Sequence, residues 1–409
     1  MIFVIANALL YIGLLIWYWR KNRVVDEGFL LIAFWGMVAS LGIAIFFDNP
    51  RAWNLKLWPF VYLVFVFLVF TRYILQREKR SFPIKSFVKT KNVFLDAINI
   101  IYILCAIYEL THIDISVLSY TYLSQEAQGL YEKAHEQMEL VKGPLFYCQR
   151  YTSALFVLAA MSFFNYLSQG RNLFGWSLFS FTFISTLAGN ASTATRGVMF
   201  SQVLIMVCIY LLYRPYLTNN VKKSIKRGGL IAGTALAAFF VAITVSRFST
   251  SFGVYESPLQ SVYYYFGHSM LYFNYGICDV DFSTYGGART FHYFSRLLLG
   301  TDFTKMSIPE THFGSSFTTS FGLVVLDFGY VGTVVFGLLV SYIMYKMWSG
   351  KNRYSFAGMY IYMFYLNRMF MAVFTNSPGS DYNYAWAILT YILLKLVVTP
   401  TKHNVTIKR

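Results

Sequence analysis

Residues 240–253 read FVAITVSRFSTSFG, and residues 318–332 read TTSFGLVVLDFGYVG. Each stretch joins a bilayer-length apolar run to the segment between them, from Ser246 to Gly332. That segment is rich in aromatic residues and carries many charged residues and histidines, whereas most of the chain alternates apolar runs with short basic or polar connectors. Because a long loop of this kind is usually functional, we expect the chemistry of the protein to lie within it.

The composition is that of a polytopic membrane protein. Hydrophobic residues make up 57% of the 409 residues and charged residues only 13%, which excludes an ordinary soluble domain. Basic connectors between the apolar runs explain much of the net charge of +16, so no nucleic-acid partner is predicted. The four cysteines are scattered with no CxxC pair, and they predict neither a disulfide framework nor a metal site.

Apolar runs of about 20 residues predict an all-α fold with about eleven transmembrane helices, in a single integral membrane domain over residues 1–409. The most basic connectors are QREKRSFPIKSFVKTK (76–91) and RPYLTNNVKKSIKR (214–227). The positive-inside rule makes these connectors cytoplasmic, the N-terminus external and the C-terminus cytoplasmic. Positive charges follow the first apolar run instead of preceding it, so no cleaved signal peptide is predicted.

Two external loops are predicted to be large. Residues 112–144 contain apolar residues at three- and four-residue spacing, a pattern that indicates an amphipathic helix lying at the membrane surface. Residues 247–320 form the larger loop, which precedes the ninth span.

External arginines are informative because the insertion rule disfavours positive charge on that side. A guanidinium group can hold phosphate or pyrophosphate through a bidentate pair of hydrogen bonds. Arg196 lies at the external mouth of a span in NASTATRGVMF, where extension to lipid headgroups is its alternative role. Arg289 follows two glycines in YGGARTFHYF, which would let the backbone approach a ligand. The candidate substrate-binding residues are Arg196, Arg247, Arg289, Arg296 and Arg368.

Acid–base chemistry has two candidates within the long loop. His312 lies close to Glu310 in IPETHFGSSF, and a histidine beside a carboxylate can act as general base on a sugar hydroxyl. A loop histidine that is hydrogen-bonded to the backbone is the alternative. His268 and His292 lie among aromatic residues and are interpreted as packing or interfacial residues.

Asp327 is a third catalytic candidate, because a carboxylate inside a span needs a partner or a wet cavity. Arg368, inside a later span, is its predicted partner. Gly329 and Gly332 would flatten one face of the Asp327 helix for close packing. No Walker A, DxD, GxSxG, HExxH or zinc pattern is present in the sequence, so we expect an already activated substrate and predict no cofactor and no metal.

These residues resemble the O-antigen polymerase (Wzy-type, oligosaccharide repeat-unit polymerase) family. The similarity lies in the many spans, the large external loop in the C-terminal half, the external arginines and the Arg-Gly step in TATRGV (193–198). The stretch TTSFGLVVLDFGYVG also resembles a signature shared with O-antigen ligases, with Gly329 and Gly332 at its glycine positions. Thr318 stands where ligases typically carry a histidine, which favours a polymerase and leaves the base in doubt, with His312 as a substitute.

The resemblance implies a metal-independent inverting glycosyltransferase of the membrane-embedded GT-C type in the bacterial inner membrane. Its substrates would be undecaprenyl-pyrophosphate-linked oligosaccharide repeat units at the periplasmic face, and its product O-antigen, capsule or exopolysaccharide. A chain-length regulator is a possible partner. Arginines would bind the pyrophosphate leaving group, and a carboxylate or histidine would activate the acceptor hydroxyl.

Two other functions are alternatives for this sequence. A flippase for the same lipid-linked sugar would favour two similar halves and charges spread over several mid-bilayer spans, whereas this chain has no evident internal symmetry. An O-antigen ligase is the other alternative, and Thr318 weakens it.

Overall fold

The computed structural model describes residues 1–48, 54–76, 92–112, 143–192, 197–249, 258–278, 284–300, 318–350, 355–374 and 380–398. Within these residues the chain is helical and contains no strand, which confirms the predicted all-α fold. The helices are α1 Ile2–Asn22, α2 Glu27–Asp48, α3 Leu57–Leu75, α4 Val93–His112, α5 Pro144–Ser168, α6 Asn172–Ser192, α7 Gly197–Tyr213, α8 Asn219–Ser249, α9 Pro258–Tyr272, α10 His292–Leu299, α11 Ser320–Trp348, α12 Phe356–Met371 and α13 Ser380–Val397.

Six helices in the described part of the chain are long and apolar enough to cross a membrane: α1, α2, α3, α4, α5 and α11. A helix is the expected form of such segments, because inside a bilayer the backbone groups must bond to one another. Local signals set several helix ends. Pro144 occupies the first turn of α5, where its missing N–H costs nothing, and the Thr319 hydroxyl accepts the Gly322 N–H to cap α11.

The predicted large loop, residues 247–320, contains helices of its own. α8 continues to Ser249, α9 covers Pro258–Tyr272 and is followed by a π-helical turn at Phe273–Ile277, and α10 covers His292–Leu299. The amphipathic helix predicted within residues 112–144 falls on a part of the chain outside the described residues. The assignment of these segments to the external side stays a prediction.

The chain divides into two compact units. Unit 1 comprises Met1–Lys79, Leu259–Met347 and Tyr365–Trp386, and unit 2 comprises Arg80–Pro258, Trp348–Phe364 and Ala387–Arg409. Each unit draws on distant parts of the sequence.

Unit 1 has an aromatic core centred on Trp35. This fully buried ring packs on Phe67 at 4.9 Å and on Phe321 at 5.4 Å between centroids. Its indole N–H donates to the carbonyl of Met369 at 3.2 Å, so the one polar atom of the ring is satisfied. The core therefore ties α2, α3 and α11 to the end of α12.

Helix α9 packs on α1 and α2 at the end of unit 1 where α1 begins and α2 ends. The Asn7 amide lies 3.5 Å from the Met270 sulfur, and the Asp48 carboxylate accepts from Gln260 at 2.9 Å. A Cβ on Gly267 would lie 2.6 Å from the main-chain nitrogen of Gly42, so the two backbones touch at this crossing. Helix α9, which lies within the long segment singled out in the sequence, is thereby packed into unit 1 from Leu259 onward.

Unit 2 is organised around α5, whose residues from Leu155 to Leu167 are buried. Polar groups within it are paired. Glu109 accepts hydrogen bonds from Thr152 at 2.6 Å and from Ser185 at 2.7 Å, and Arg171 pairs with Asp96 at 2.8 Å. These partners account for the two carboxylates of α4 as structural groups.

Candidate functional site

Helix α11 is broken at Gly329, two residues after its buried carboxylate, Asp327. Gly329 has φ 67° and ψ −176°, a left-handed backbone that residues with a side chain rarely adopt. The carbonyls just before the break accept hydrogen bonds from another segment: Leu326 from the N–H of Tyr285 at 3.1 Å, and Asp327 from the N–H of Gly286 at 3.0 Å. The break therefore docks the turn at residues 284–291 onto α11.

The two glycines of this turn have a conformational role. Gly286 has φ 61° and Gly287 has φ 93°, so both lie in the region that favours glycine. A Cβ on Gly287 would also lie 3.2 Å from the ring of Phe328. In place of the predicted close approach to a ligand, the structure shows the backbone at these glycines approaching α11.

Gly329 and Gly332 likewise differ from the prediction that they flatten a helix face. Gly329 creates the break, and a Cβ on Gly332 would lie 2.8 Å from Cβ of Phe328 in the same helix. Glycine is therefore required at position 329 by the interrupted backbone of α11. At position 332 it is required by the lack of space beside Phe328.

Asp327 is fully buried, and its carboxylate closes the turn. It accepts the N–H of Arg289 at 3.1 Å and the N–H of Thr290 at 2.5 Å. Charge-assisted hydrogen bonds of this kind offset the cost of burying a carboxylate. The prediction that Asp327 pairs with Arg368 was wrong, because its partners come from the turn that precedes α10.

Arg289 is the cation of this arrangement. Its side chain is half-buried, and its guanidinium carbon lies 5.7 Å from the centroid of the Tyr285 ring. Burial lowers the pKa of the Arg289 guanidinium, and the charge of Asp327 opposes that shift. Since an arginine stays protonated under all ordinary conditions, the site keeps a positive charge beside a carboxylate and aromatic rings.

Aromatic residues of α9 and of the π-helical turn extend the site. Burial raises the pKa of the Tyr272 phenol, and Arg289 lowers it, which places the guanidinium within electrostatic reach of that ring. Tyr275 packs edge-on against Tyr272 at 5.4 Å, and its hydroxyl lies 3.3 Å from Nε2 of His268. The interpretation of His268 as a packing residue among aromatic rings is confirmed.

The structure brings together two of the predicted site residues, Arg289 and Asp327. Arg296 is exposed on α10. The guanidinium carbon of Arg368, in α12, lies 5.9 Å from the centroid of the Tyr384 ring. Arg247 lies in the last turn of α8, in unit 2. Arg196, Glu310 and His312 lie outside the described residues, so their predicted roles stay predictions.

Sequence reasoning missed Tyr264, Tyr272 and Tyr275 as neighbours of the site. Tyr264, His268 and Tyr272 recur every four residues, and that spacing would have placed them on one helix face. The aromatic and polar composition of this segment predicts a loop, and this composition obscures the helical period of α9. Among the described residues, no three His, Cys, Asp or Glu side chains cluster as a metal site requires.

No family model, curated protein or solved structure matches this chain. The chemistry of the site is therefore inferred from its own residues: a held cation, a buried carboxylate that shapes the backbone around it, and a tyrosine-rich helix face. Such a site suits a ligand that is anionic at one end and rich in hydroxyl groups beyond it.

Proposed function

We propose that this protein polymerises undecaprenyl-pyrophosphate-linked oligosaccharide repeat units into a surface polysaccharide. The observation that carries the proposal is the setting of Arg289, whose main-chain N–H is held by Asp327 of the broken helix α11 and whose guanidinium lies over the Tyr285 ring. A guanidinium in such a place can bind a pyrophosphate leaving group, while tyrosines offer hydrogen bonds and ring faces to sugars.

In the proposed reaction, a hydroxyl of a new lipid-linked repeat unit attacks the anomeric carbon of the growing chain. The bond from that carbon to the pyrophosphate oxygen breaks, and the configuration at the carbon inverts. The acceptor proton passes to a general base, for which His312 and Glu310 are the candidates. The undecaprenyl pyrophosphate leaves with its negative charge balanced by Arg289. Arginine, without a metal ion, supplies the positive charge.

The proposal includes the number of membrane spans and their orientation. About eleven spans in a GT-C-like arrangement would place the N-terminus outside and the C-terminus in the cytoplasm of the bacterial inner membrane. The basic connectors support that orientation. Residues 247–320 would then lie at the periplasmic face, where lipid-linked units are available, and Arg196, Arg247, Arg296 and Arg368 would be further contacts for the anionic substrate.

The test is a deletion strain whose surface polysaccharide is separated by gel electrophoresis. We expect the ladder of long chains to disappear while a single repeat unit is still attached to its acceptor. Loss of even the single unit, with lipid-linked units accumulating on the inner leaflet, would instead indicate a flippase. Long chains that form but stay on the lipid carrier would indicate a ligase.

A further inference from the structure

Three rings form a ladder along one face of α9. Tyr264 and His268 lie with their ring centroids 6.2 Å apart and their planes at 25°, and His268 and Tyr272 lie 6.1 Å apart at 21°. Residues four apart lie on the same side of an α-helix. From Tyr264 to Tyr272 the ladder covers two turns, roughly 12 Å.

The ladder is only partly exposed. Phe266, Met270 and Leu271 are buried and serve the contact with the rest of unit 1, and Tyr272 is buried too. Tyr264 and His268 are half-buried, so part of each of these two rings is open to a ligand.

The two ends of the ladder differ in chemistry. At the Tyr272 end lies Arg289, within electrostatic reach of that phenol. Burial lowers the pKa of His268 to about 4, so at neutral pH its imidazole is uncharged and offers a neutral aromatic ring. The ladder thus has the cationic Arg289 near its Tyr272 end and uncharged rings along the rest of its length.

We propose that the half-buried rings of this ladder, Tyr264 and His268, form a saccharide-binding subsite for the oligosaccharide that extends from an anionic group at Arg289. The C–H faces of sugar rings pack on aromatic rings, and sugar hydroxyls bond to the phenol group of Tyr264. Charge complementarity sets the direction, with the phosphate end at Tyr272 and the sugars running towards Tyr264. This inference rests on the proposed function for the identity of its substrate.

The test is calorimetric titration of the purified full-length protein in lipid nanodiscs. The probe is the oligosaccharide repeat unit released from its lipid carrier in the host strain, and inorganic pyrophosphate is titrated separately. We expect Tyr264→Ala and His268→Ala to weaken oligosaccharide binding by about tenfold or more, with pyrophosphate binding unchanged. His268→Phe, which keeps a ring, should retain most of the affinity.

Tyr345→Ala is the matched control. Tyr345 stacks on Tyr73 at 4.2 Å in the same unit, near the last turns of α3 and α11, and its removal should leave oligosaccharide binding unchanged. The inference is overturned if the ladder variants bind the oligosaccharide as the control does, a result expected of tyrosines that only anchor the helix at the lipid interface. Absence of binding by the wild-type protein would overturn it equally.

Failure of this subsite and failure of the proposed function give different results. If the deletion strain loses its long chains but the ladder variants bind normally, the subsite is wrong and the polymerase proposal stands. If the ladder binds the oligosaccharide but the deletion strain still makes long chains, the subsite stands and the polymerase proposal fails.

Discussion

The carboxylate of Asp327 accepts a hydrogen bond from the main-chain N–H of Arg289 at 3.1 Å, across 38 residues of sequence. The same carboxylate accepts the N–H of Thr290, and the carbonyls of Leu326 and Asp327 bind the start of the same turn. The backbone at Arg289 is consequently held by a carboxylate inside α11. The structure shows Asp327 positioning the Arg289 turn, and its predicted catalytic role stays a prediction.

Substitution of Asp327 by Ala should disrupt this turn. Two partly buried N–H groups lose their acceptor, which costs up to about 1–3 kcal/mol each when they stay unsatisfied. We expect a lower thermal midpoint in detergent and loss of chain extension in cells. Asp327→Asn keeps one acceptor oxygen and should fall between Ala and wild type. An Asp327→Ala midpoint equal to that of the wild-type protein would contradict the assignment.

Arg289 and Arg296 offer a second comparison. Both lie on the segment predicted to be external, but Arg289 is half-buried beside Asp327 whereas Arg296 is exposed on α10. Exposed charges commonly contribute little. We expect Arg289→Ala to abolish the long polysaccharide chains seen on the gel while the protein level stays normal. Arg296→Ala should leave those chains nearly unchanged. A full ladder in the Arg289 variant would remove the pyrophosphate role from this residue.

Gly329 should tolerate no side chain. Its φ of 67° is strained for alanine, at a cost of about 1–2 kcal/mol. Gly13, inside α1, has no atom within 4 Å of a Cβ position, so Gly13→Ala should stabilise the protein by up to about 1 kcal/mol through helix propensity. Thermal midpoints in detergent should move in opposite directions. A neutral Gly329→Ala would mean that the break in α11 is not a fixed feature.

The crossing of α2 and α9 predicts an asymmetry between two glycines. A Cβ on Gly267 would meet main-chain atoms of Gly42 and Leu41 at 2.6 and 2.7 Å, whereas a Cβ on Gly42 would find its nearest neighbour at 3.6 Å. Gly267→Ala should separate the helices and cost about 1–3 kcal/mol through overpacking, while Gly42→Ala should be well tolerated. The measurement is again the thermal midpoint, and a reversed order would contradict this helix crossing.

His268 predicts a pH dependence. Its pKa in the folded protein is lowered to about 4 by burial, against an ordinary value of about 6.5. As the pH falls below that value, the unfolded chain takes up a proton that the folded protein excludes. Stability is therefore present above about pH 6.5 and lost towards pH 4, by up to about 2 kcal/mol at pH 5.

His268→Phe tests this dependence because it keeps an aromatic ring beside Tyr264, Tyr272 and Tyr275 without a titratable group in this range. The thermal midpoint of the wild-type protein should fall more steeply between pH 7 and pH 5 than that of the variant. Parallel curves would show that His268 is charged or solvated in the folded state.

The sequence by itself determined the all-helical class and the presence of apolar helices of membrane-spanning length. Apolar runs of bilayer length are sufficient for this, because a backbone in hydrocarbon must satisfy its own hydrogen bonds. Six helices in the described part of the chain have that length and apolar character. Arg289 and Asp327 stand out in the sequence because each places a charge where charge is disfavoured. α9 was missed as a helix because its ring-rich face hides the apolar period.

Only the tertiary structure decided which residues meet. The pairing of Asp327 with the Arg289 turn, in place of Arg368, depends on the break at Gly329 and on the left-handed turn at Gly286 and Gly287. Charge and hydropathy along the chain do not encode such a contact, since a buried carboxylate has several cations available to it. Which one it reaches is settled by the backbone geometry that delivers two N–H groups to its oxygens.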